Sequence, residues 1–217
     1  QRLVREMKVW SQLHHLNVLP FLGLHRLRSV TYLVSPWMEN GHVLEFIQRH
    51  PEADSLQLLV QVAKGLEYLH AFQPPVIHGD LRGPNILISQ FGNVCIADFG
   101  LSELKAEGYD CYSMPWIFAG HPRWQATEIV RAETKEEARR TTASDVFAFG
   151  RVMLELFTMK LPFFYVPYNQ GVARRVEAGE FPDRPYDDMT VARGLDDIMW
   201  GLMTECWDVI PSQRPSA

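Results

Sequence analysis

Apolar residues recur along the chain at the spacing of one helix face in several segments. Residues 5–16 carry one such stripe, formed by Val4, Met7, Trp10, Leu13 and Leu16. A longer helix is predicted at Leu56–Phe72, with Asp54 or Ser55 as its N-cap. Further helices are predicted at Val43–Arg49, Thr142–Met159 and Leu195–Trp207.

Short apolar runs between turn residues predict strands. FLGLH and VTYLV, divided by LRS, indicate a two-stranded hairpin within residues 21–34. Residues 74–96 follow the order loop, strand, QFGN turn, strand, whereas Asp98–Glu128 has little periodicity, which in a compact domain is typical of a functional loop. The chain therefore reads as one helix and a few strands, then a turn-rich link at Pro36–Gly41, then a largely helical body.

Composition and charge narrow the possible classes of function. The 217 residues are 47% hydrophobic and 22% charged, as in globular proteins, and the net charge of -5 argues against a nucleic-acid-binding surface. Three widely spaced cysteines show neither a disulfide framework nor zinc-ligand spacing, which favours a reducing intracellular setting, expected to be the cytoplasm. The most apolar stretch is interrupted by Arg151 and Glu155, so no membrane segment is expected.

The stretch VIHGDLRGPNILI, at residues 76–88, concentrates side chains that can handle protons or metal ions. It holds His78, Asp80 and Asn85, and Asp98-Phe99-Gly100 follows after an interval of two predicted strands. Taken singly, each is a common turn residue. Taken together, they place two carboxylates and an amide at one end of neighbouring strands, which indicates a site for acid–base or metal chemistry.

These motifs and three later ones resemble the protein kinase superfamily, most closely its tyrosine-kinase-like branch. HGDLRGPN matches the catalytic loop H-R-D-L-x-x-x-N, and the DFG motif is intact. GHPRWQATE, ASDVFAFGRVMLEL and CWDVIPSQRPS resemble the family's A-P-E segment, its D-V-W-S-F-G helix and its closing C-W-x-x-x-P-x-x-R-P-[ST]. An unrelated metal-dependent hydrolase using Asp80 and Asp98 would leave the last three matches unexplained.

The resemblance covers residues 1–217 and implies an α+β, protein-kinase-like fold of two lobes. Residues 1–35 would form a partial N-lobe of helix C and strands, residues 36–41 the hinge, and residues 42–217 a mainly helical C-lobe. The implied reactants are ATP, Mg²⁺ and a protein substrate, with no nucleic acid. The sequence does not indicate the oligomeric state.

The resemblance also implies a role for each site residue. Asp80 would accept the proton of the substrate hydroxyl, and Arg82 would contact the transferred phosphate. Asn85 and Asp98 would supply oxygen ligands to Mg²⁺. Around adenine, Ser35 would be the gatekeeper, the Pro36 carbonyl and Met38 amide would face the base, and Leu87 would form part of the floor.

Other implied residues shape the site from outside. Glu6 resembles the helix-C glutamate that pairs with a strand lysine in the active state. An apolar spine would consist of Trp10, Phe21, Phe99 and His78. Asp145 would hold the backbone of the catalytic loop, and Glu128 would form a buried ion pair with Arg214.

Three positions depart from the family pattern. Gly79 stands where the family carries an arginine that pairs with a phosphorylated loop residue, and His121 and Thr127 replace the usual Thr and the Pro of A-P-E. Since Asp80, Asn85 and Asp98 are present, we expect a protein kinase that modifies Ser or Thr, with Tyr left open. The alternative is a pseudokinase, a binding or scaffolding module without phosphotransfer.

The beginning of the chain also departs from the family. The family's Gly-rich loop and V-A-I-K strand precede the helix that carries Glu6, and this sequence begins at that helix. We expect this piece alone to lack the phosphate-covering loop and the lysine partner of Glu6. As an isolated chain it should bind ATP poorly and transfer little phosphate.

Overall fold

The computed structural model describes residues 7–99, 103–104 and 121–217, the pair 103–104 by its backbone. Residues 7–10 are helical, and the helices that follow are α1 (Val43–Arg49), α2 (Ser55–Ala71), α3 (Thr127–Arg131), α4 (Thr142–Thr158), α5 (Asn169–Glu177), α6 (Asp188–Ala192) and α7 (Asp197–Cys206). The strands are β1 (Gly23–Leu27), β2 (Val30–Val34), β3 (Val76–Ile77), β4 (Ile86–Ile88), β5 (Val94–Ile96) and β6 (Glu103–Leu104). The helices and small sheets agree with the α+β expectation.

The strands form three antiparallel pairs, β1–β2, β3–β6 and β4–β5. The predicted hairpin is present, although β1 begins at Gly23, two residues later than FLGLH indicated, and a two-residue turn at Arg28–Ser29 joins the strands. Arg28 has a φ of 56°, in the left-handed region that tight hairpin turns require. Leu24, Leu27, Val30 and Tyr32 remain exposed on this hairpin.

The first predicted helix ends earlier than its apolar stripe. Helical geometry stops at residue 10, and Leu16 is 67% exposed, so the prediction is wrong for residues 11–16. The reason is a competing backbone pairing with β5, because the Leu19 N–H donates to the Ile96 carbonyl at 2.8 Å and the Ile96 N–H donates to the Asn17 carbonyl at 2.9 Å.

Helix α4 forms the centre of the helical body, with nearly every residue from Ser144 to Phe157 buried. Its N-terminus is closed by a capping box, in which Thr141 and Ser144 exchange side-chain and backbone hydrogen bonds. Helix α2 begins at Ser55, one residue before the predicted start, and Asp54 is its N-cap, because the Asp54 carboxylate accepts from the N–H groups of Leu56 and Gln57. Helix α4 is the element against which α1, α2, α6 and α7 pack.

Three short helices were not predicted from the sequence. These are α3, α5 and α6; in α5 the buried apolar residues are Val172 and Val176. A pair one turn apart is too short a pattern to separate a helix from a loop. The charged run TKEEARR, at residues 134–140, forms a turn in which Ala138 is buried and Arg140 half-buried.

Two further properties bear on the setting of the domain. Across the described ranges, none of the helices combines the length and the apolar character that crossing a bilayer requires. Cys95 and Cys206 are buried free thiols, and burial raises their pKa values to about 11 and about 12. Cys111 lies outside the described residues.

Candidate active site

The loop after β3 is attached to the start of α4 by one carboxylate. Asp145 accepts hydrogen bonds from the N–H groups of His78, at 2.8 Å, and Gly79, at 2.9 Å. Its Oδ2 also lies 3.1 Å from His70 Nε2 on α2. Asp145 is 1% exposed, so these donors replace the water that the charge loses on burial. The role implied for Asp145 by the resemblance is confirmed.

His78 links the same loop to the strand that precedes Asp98. The Asp80 N–H donates to His78 Nδ1 at 3.2 Å, which assigns the ring proton to Nε2. Nε2 then donates to the Ala97 carbonyl at 2.9 Å. The imidazole is fully buried, and it therefore holds the loop and the end of β5 at a fixed separation.

The structure brings Asp80, Arg82 and Asn85 together. Asn85 Nδ2 donates to the Asp80 carbonyl at 2.8 Å and to its carboxylate Oδ2 at 3.2 Å. Arg82 Nε donates to the same Oδ2 at 3.3 Å. These contacts orient the Asp80 carboxylate, and no hydrogen bond engages its Oδ1 among the described residues.

Asp98 lies beside this group through the pairing of β4 with β5. The Ala97 N–H donates to the Asn85 carbonyl at 2.9 Å, so Asp98 follows directly after a residue that is bonded to Asn85. Asp98 has a φ of 65°, a left-handed conformation that is uncommon outside glycine, and its side chain is exposed. The backbone therefore turns sharply where the predicted metal ligand stands.

The donor set fits Mg²⁺ better than a transition metal. Asn85 uses its amide N–H₂ toward Asp80, which leaves the amide oxygen as the atom that can face a cation. In the part of the chain that the structure describes, no group of three or more His, Cys, Asp or Glu side chains could hold a metal ion. An ion held by Asn85 and Asp98 would complete its shell with phosphate oxygens and water, as Mg²⁺ does.

The segment expected to face adenine, at residues 35–41, is hydrogen-bonded to β4. The Gly41 N–H donates to the Met38 carbonyl at 3.0 Å, and the Ile88 N–H donates to the Gly41 carbonyl at 2.9 Å. Ser35 and Pro36 are half-buried, and the Ser35 hydroxyl donates to the Pro36 carbonyl at 3.4 Å. Leu87, also half-buried, lies on the strand to which this segment is bonded.

The apolar spine implied by the resemblance is present. The ring of Trp10 lies 5.2 Å from that of Phe21 and 6.0 Å from that of Phe99, and Phe99 lies 5.5 Å from His78. The predicted ion pair is also present, since Arg214 binds Glu128 through both carboxylate oxygens at 2.8 and 2.6 Å. Glu6 lies outside the described residues.

One site residue was missed by sequence reasoning. Glu155 on α4 is fully buried, and its Oε2 accepts the Gly83 N–H at 3.0 Å and the Trp124 indole N–H at 3.0 Å. Burial raises its pKa to about 7, against the opposing effect of these donors. The available signal was that Glu155, like Arg151, interrupts the most apolar stretch of the sequence.

The sequence of this chain is similar to sequences of known proteins. A family model described as "Protein tyrosine and serine/threonine kinase" matches residues 1–217. The chain belongs to the protein kinase family. It is 30% identical over 219 residues to the serine/threonine-protein kinase CTR1 of Arabidopsis thaliana, which covers 98% of this chain and 25% of that protein. It is 32% identical over 220 residues to "Probable serine/threonine-protein kinase drkC" of Dictyostelium discoideum, covering 99% and 27%.

The kinase domain thus spans about a quarter of the length of these two relatives. The recognition from motifs is confirmed, and so are the α+β fold class and the assignment to protein kinases. The division at residues 36–41 into hinge and lobes, and the chemical role of each site residue, stay predictions.

The structure describes the surroundings of two residues that depart from the family pattern, Thr127 and His121. Thr127 is the first residue of α3, where proline is tolerated but not needed, so the helix forms without it. The His121 ring meets Trp124 edge-on at 5.0 Å. Burial, with smaller effects of Arg123 and Arg82, lowers the pKa of His121, and Asp80 opposes the shift. Burial thus favours the neutral form of the His121 ring, which lines the same pocket as Asp80.

Proposed function

We propose that this domain, within its natural full-length protein, transfers the γ-phosphate of ATP to Ser or Thr hydroxyls of a protein substrate. In this reaction the substrate oxygen forms a bond to the γ-phosphorus, the bond from that phosphorus to the bridging oxygen breaks, and ADP leaves. The hydroxyl proton passes to the Asp80 carboxylate. The observation that carries the proposal is the orientation of Asp80 by Asn85 and Arg82.

The geometry of Asp80 suits a proton acceptor. Because Asn85 and Arg82 both bond to Oδ2, Oδ1 is left available to accept from an incoming hydroxyl. The His78 contact to the Asp80 N–H fixes the backbone behind it. A carboxylate that is ionised at neutral pH can orient the hydroxyl and receive its proton as the phosphoryl group moves.

Arg82 and the metal ligands would manage the phosphate charge. The Arg82 side chain is 30% exposed, and its contact with Asp80 at 3.3 Å is long, so its guanidinium can also reach a phosphate near Asp80. Asn85 and Asp98 would hold Mg²⁺, which supplies positive charge to the transferring phosphoryl group when bound. Glu6 would complete the site as the partner of a lysine.

The nucleotide would lie along the segment that is bonded to β4. Ser35, Pro36 and Met38 would line the adenine side, and Leu87 would lie under the base. Hydrogen bonds from this segment to Ile88 hold it beside β4. We assign residues 36–41 as the hinge, residues 1–35 to the N-lobe and residues 42–217 to the C-lobe.

Serine and threonine are the favoured acceptors because the relatives CTR1 and drkC carry serine/threonine-protein kinase in their names. The cytoplasm is the proposed compartment. The unpaired thiols of Cys95 and Cys206 support a reducing setting.

The test compares the natural full-length protein with its Asp80→Asn variant, with Mg²⁺-ATP and a generic basic protein as phosphate acceptor. We expect phosphate incorporation to fall about 10²–10⁴-fold, because an amide cannot accept the proton. Asp188→Asn is the matched control, since Asp188 is an exposed aspartate on α6, and it should leave incorporation unchanged.

Binding of Mg²⁺-ATP, measured separately, distinguishes the alternatives. Equal incorporation by the unchanged protein and Asp80→Asn would remove Asp80 from its role. Nucleotide binding with no incorporation by the unchanged protein would contradict phosphotransfer and favour the pseudokinase alternative.

A further inference from the structure

Position 79 is the point where the catalytic loop departs most from the family, and the structure shows what surrounds it. Gly79 has a φ of 79°, so the backbone there is left-handed. A cavity of about 20 Å³ lies beside it, lined among others by Asp80, His121 and Arg140. That volume is enough for one water molecule. Side chains from outside the catalytic loop, including His121 and Arg140, therefore lie beside Gly79.

Arg140 supplies one of those side chains. It comes from the segment just before the N-cap of α4, is half-buried, and donates from Nε to the Gly79 carbonyl at 2.8 Å. The Gly79 N–H donates to Asp145, in the first turn of α4, at 2.9 Å. The start of α4 thus contacts Gly79 on both sides, with a carboxylate at its N–H and a guanidinium at its carbonyl.

The peptide unit that Arg140 contacts is the one that leads into Asp80. The Gly79 carbonyl and the Asp80 N–H belong to the same planar unit. Arg140 binds the oxygen of that unit, and His78 Nδ1 accepts from its N–H at 3.2 Å. A peptide plane held at both ends cannot rotate without breaking one of these bonds. The orientation of the peptide unit from which the Asp80 Cα continues is therefore restricted.

We propose that Arg140 is a positioning residue for phosphotransfer, which holds the peptide between Gly79 and Asp80 and so orients the Asp80 carboxylate. This inference rests on the proposed function. Arg140 also brings to this place a positive charge that a glycine at position 79 does not provide. Because Arg140 lies outside the loop and binds a backbone oxygen, this hydrogen bond does not need a side chain at position 79. Glycine can therefore occupy that position.

Three substitutions at position 140 separate the hydrogen bond from the charge. Arg140→Lys keeps a charged donor, Arg140→Gln keeps a neutral donor, and Arg140→Met keeps neither. We expect kcat to fall about 10-fold to 100-fold in Arg140→Met, because small misplacements of a reacting group cost that much, while KM for ATP changes less than about twofold. Arg140→Lys should recover most of kcat, and Arg140→Gln should be intermediate.

Arg139→Gln is the matched control, because Arg139 is the adjacent exposed arginine and its loss changes the charge equally. It should leave kcat unchanged. All variants are compared in the natural full-length protein with Mg²⁺-ATP and a generic basic protein as acceptor.

Amide hydrogen exchange gives a readout that does not depend on activity. We expect the Gly79 and Asp80 amides to exchange about tenfold faster or more in Arg140→Met, with amides in the middle of α2 unchanged as evidence of an intact fold. Unchanged exchange and unchanged kcat in Arg140→Met would overturn the inference, and so would an equal loss of kcat in the Lys and Met variants. If the Gly79 and Asp80 amides exchanged faster in Arg140→Met but the unchanged protein transferred no phosphate, the proposed function would be refuted. The role of Arg140 in holding the peptide between Gly79 and Asp80 would still be supported.

Discussion

Asp145 and Arg151 are two buried charges on the same helix, α4, and their surroundings are opposite. Asp145 accepts from two backbone N–H groups of the catalytic loop and lies next to His70. Arg151 is fully buried, yet its Nε and Nη1 have no hydrogen-bond partner in the described part of the chain. Its guanidinium instead lies 4.5–5.0 Å from the rings of Phe147, Phe163 and Trp207.

The difference shows that a buried charge can position neighbouring backbone, as Asp145 does, or can be buried without positioning any of the described residues, as Arg151 is. Removing a charge from water costs several kcal/mol unless hydrogen bonds replace the water. The donors around Asp145 meet that cost, and the same bonds position the loop. Aromatic rings return about 0.5–2 kcal/mol each to a cation, so Arg151 is stabilised only in part, and burial lowers its pKa.

Glu155 lies between these two cases. Its Oε2 has two donors, from the catalytic loop and from Trp124, whereas its Oε1 is buried without a hydrogen-bond partner among the described residues. The half-satisfied carboxylate has a pKa raised to about 7 by burial. The three side chains therefore form a graded series on one helix, which substitutions can test.

The largest effect is expected for Asp145→Ala. It leaves the N–H groups of His78 and Gly79 without their acceptor, and we expect the free energy of unfolding to fall by about 3–5 kcal/mol. Urea unfolding measures the change, and Asp145→Asn, which keeps an acceptor oxygen, should lose less. Equal stability of Asp145→Ala and the unchanged protein would contradict this account of the loop.

Arg214→Met should follow, with a loss of about 3 kcal/mol in the free energy of unfolding. Arg214 is fully buried, binds both oxygens of Glu128, and donates to the Ala143 carbonyl at the start of α4. The Glu128 side chain is 25% exposed and can regain water, which keeps the loss at the lower end. Glu128→Gln is the companion variant and should lose less, since one hydrogen bond can remain.

Arg151→Met should stabilise the protein, in contrast to the two preceding substitutions. Methionine keeps most of the volume and the contact with the three rings while it removes the buried charge. We expect the free energy of unfolding to rise by about 1–2 kcal/mol, measured by urea unfolding at pH 7. A loss of stability of similar size would show that the aromatic contacts outweigh the cost of burial. Arg175→Met, at a half-exposed arginine on α5, is the control for the loss of one positive charge.

The smallest effect is expected for the pH dependence that Glu155 adds. Its pKa is raised from 4.5 to about 7, so in this window the folded protein holds a proton that the unfolded chain releases. The contribution of Glu155 to the free energy of unfolding is therefore greatest below pH 4.5 and falls as the pH rises to about 7. Glu155→Gln should remove this slope in stability curves at pH 5, 6 and 7. An unchanged slope would mean that Glu155 is not the group that holds the proton.

Much of the active site could be predicted from the sequence because its residues are close along the chain. Asp80, Arg82 and Asn85 lie within six residues, and a loop that short has few ways to place them. The more distant partner Asp145 was implied by the family resemblance rather than by spacing. The structure confirms its contact with the loop.

Other features could not be predicted because they depend on packing between distant segments. The stripe at residues 5–16 continues past the end of the helix, and only the bonds to β5 explain where the helix stops. Glu155 appeared in the sequence only as an interruption of an apolar helix. Arg140 lies in the charged run TKEEARR, and nothing in that run indicates that its side chain binds the Gly79 carbonyl.

The sequence by itself determined the family, the order of the longer helices and of the strands β1, β2, β4 and β5, and the identity of the residues at the catalytic loop. These follow from local patterns, because periodicity and short motifs act within a few turns of chain. Only the tertiary structure decided which groups surround each buried charge. Asp145 accepts from N–H groups of the catalytic loop, Glu155 has donors to one of its two oxygens, and Arg151 lies against aromatic rings. The reason is that the cost of a buried charge depends on which donors and rings surround it, and these come from segments far apart in the sequence.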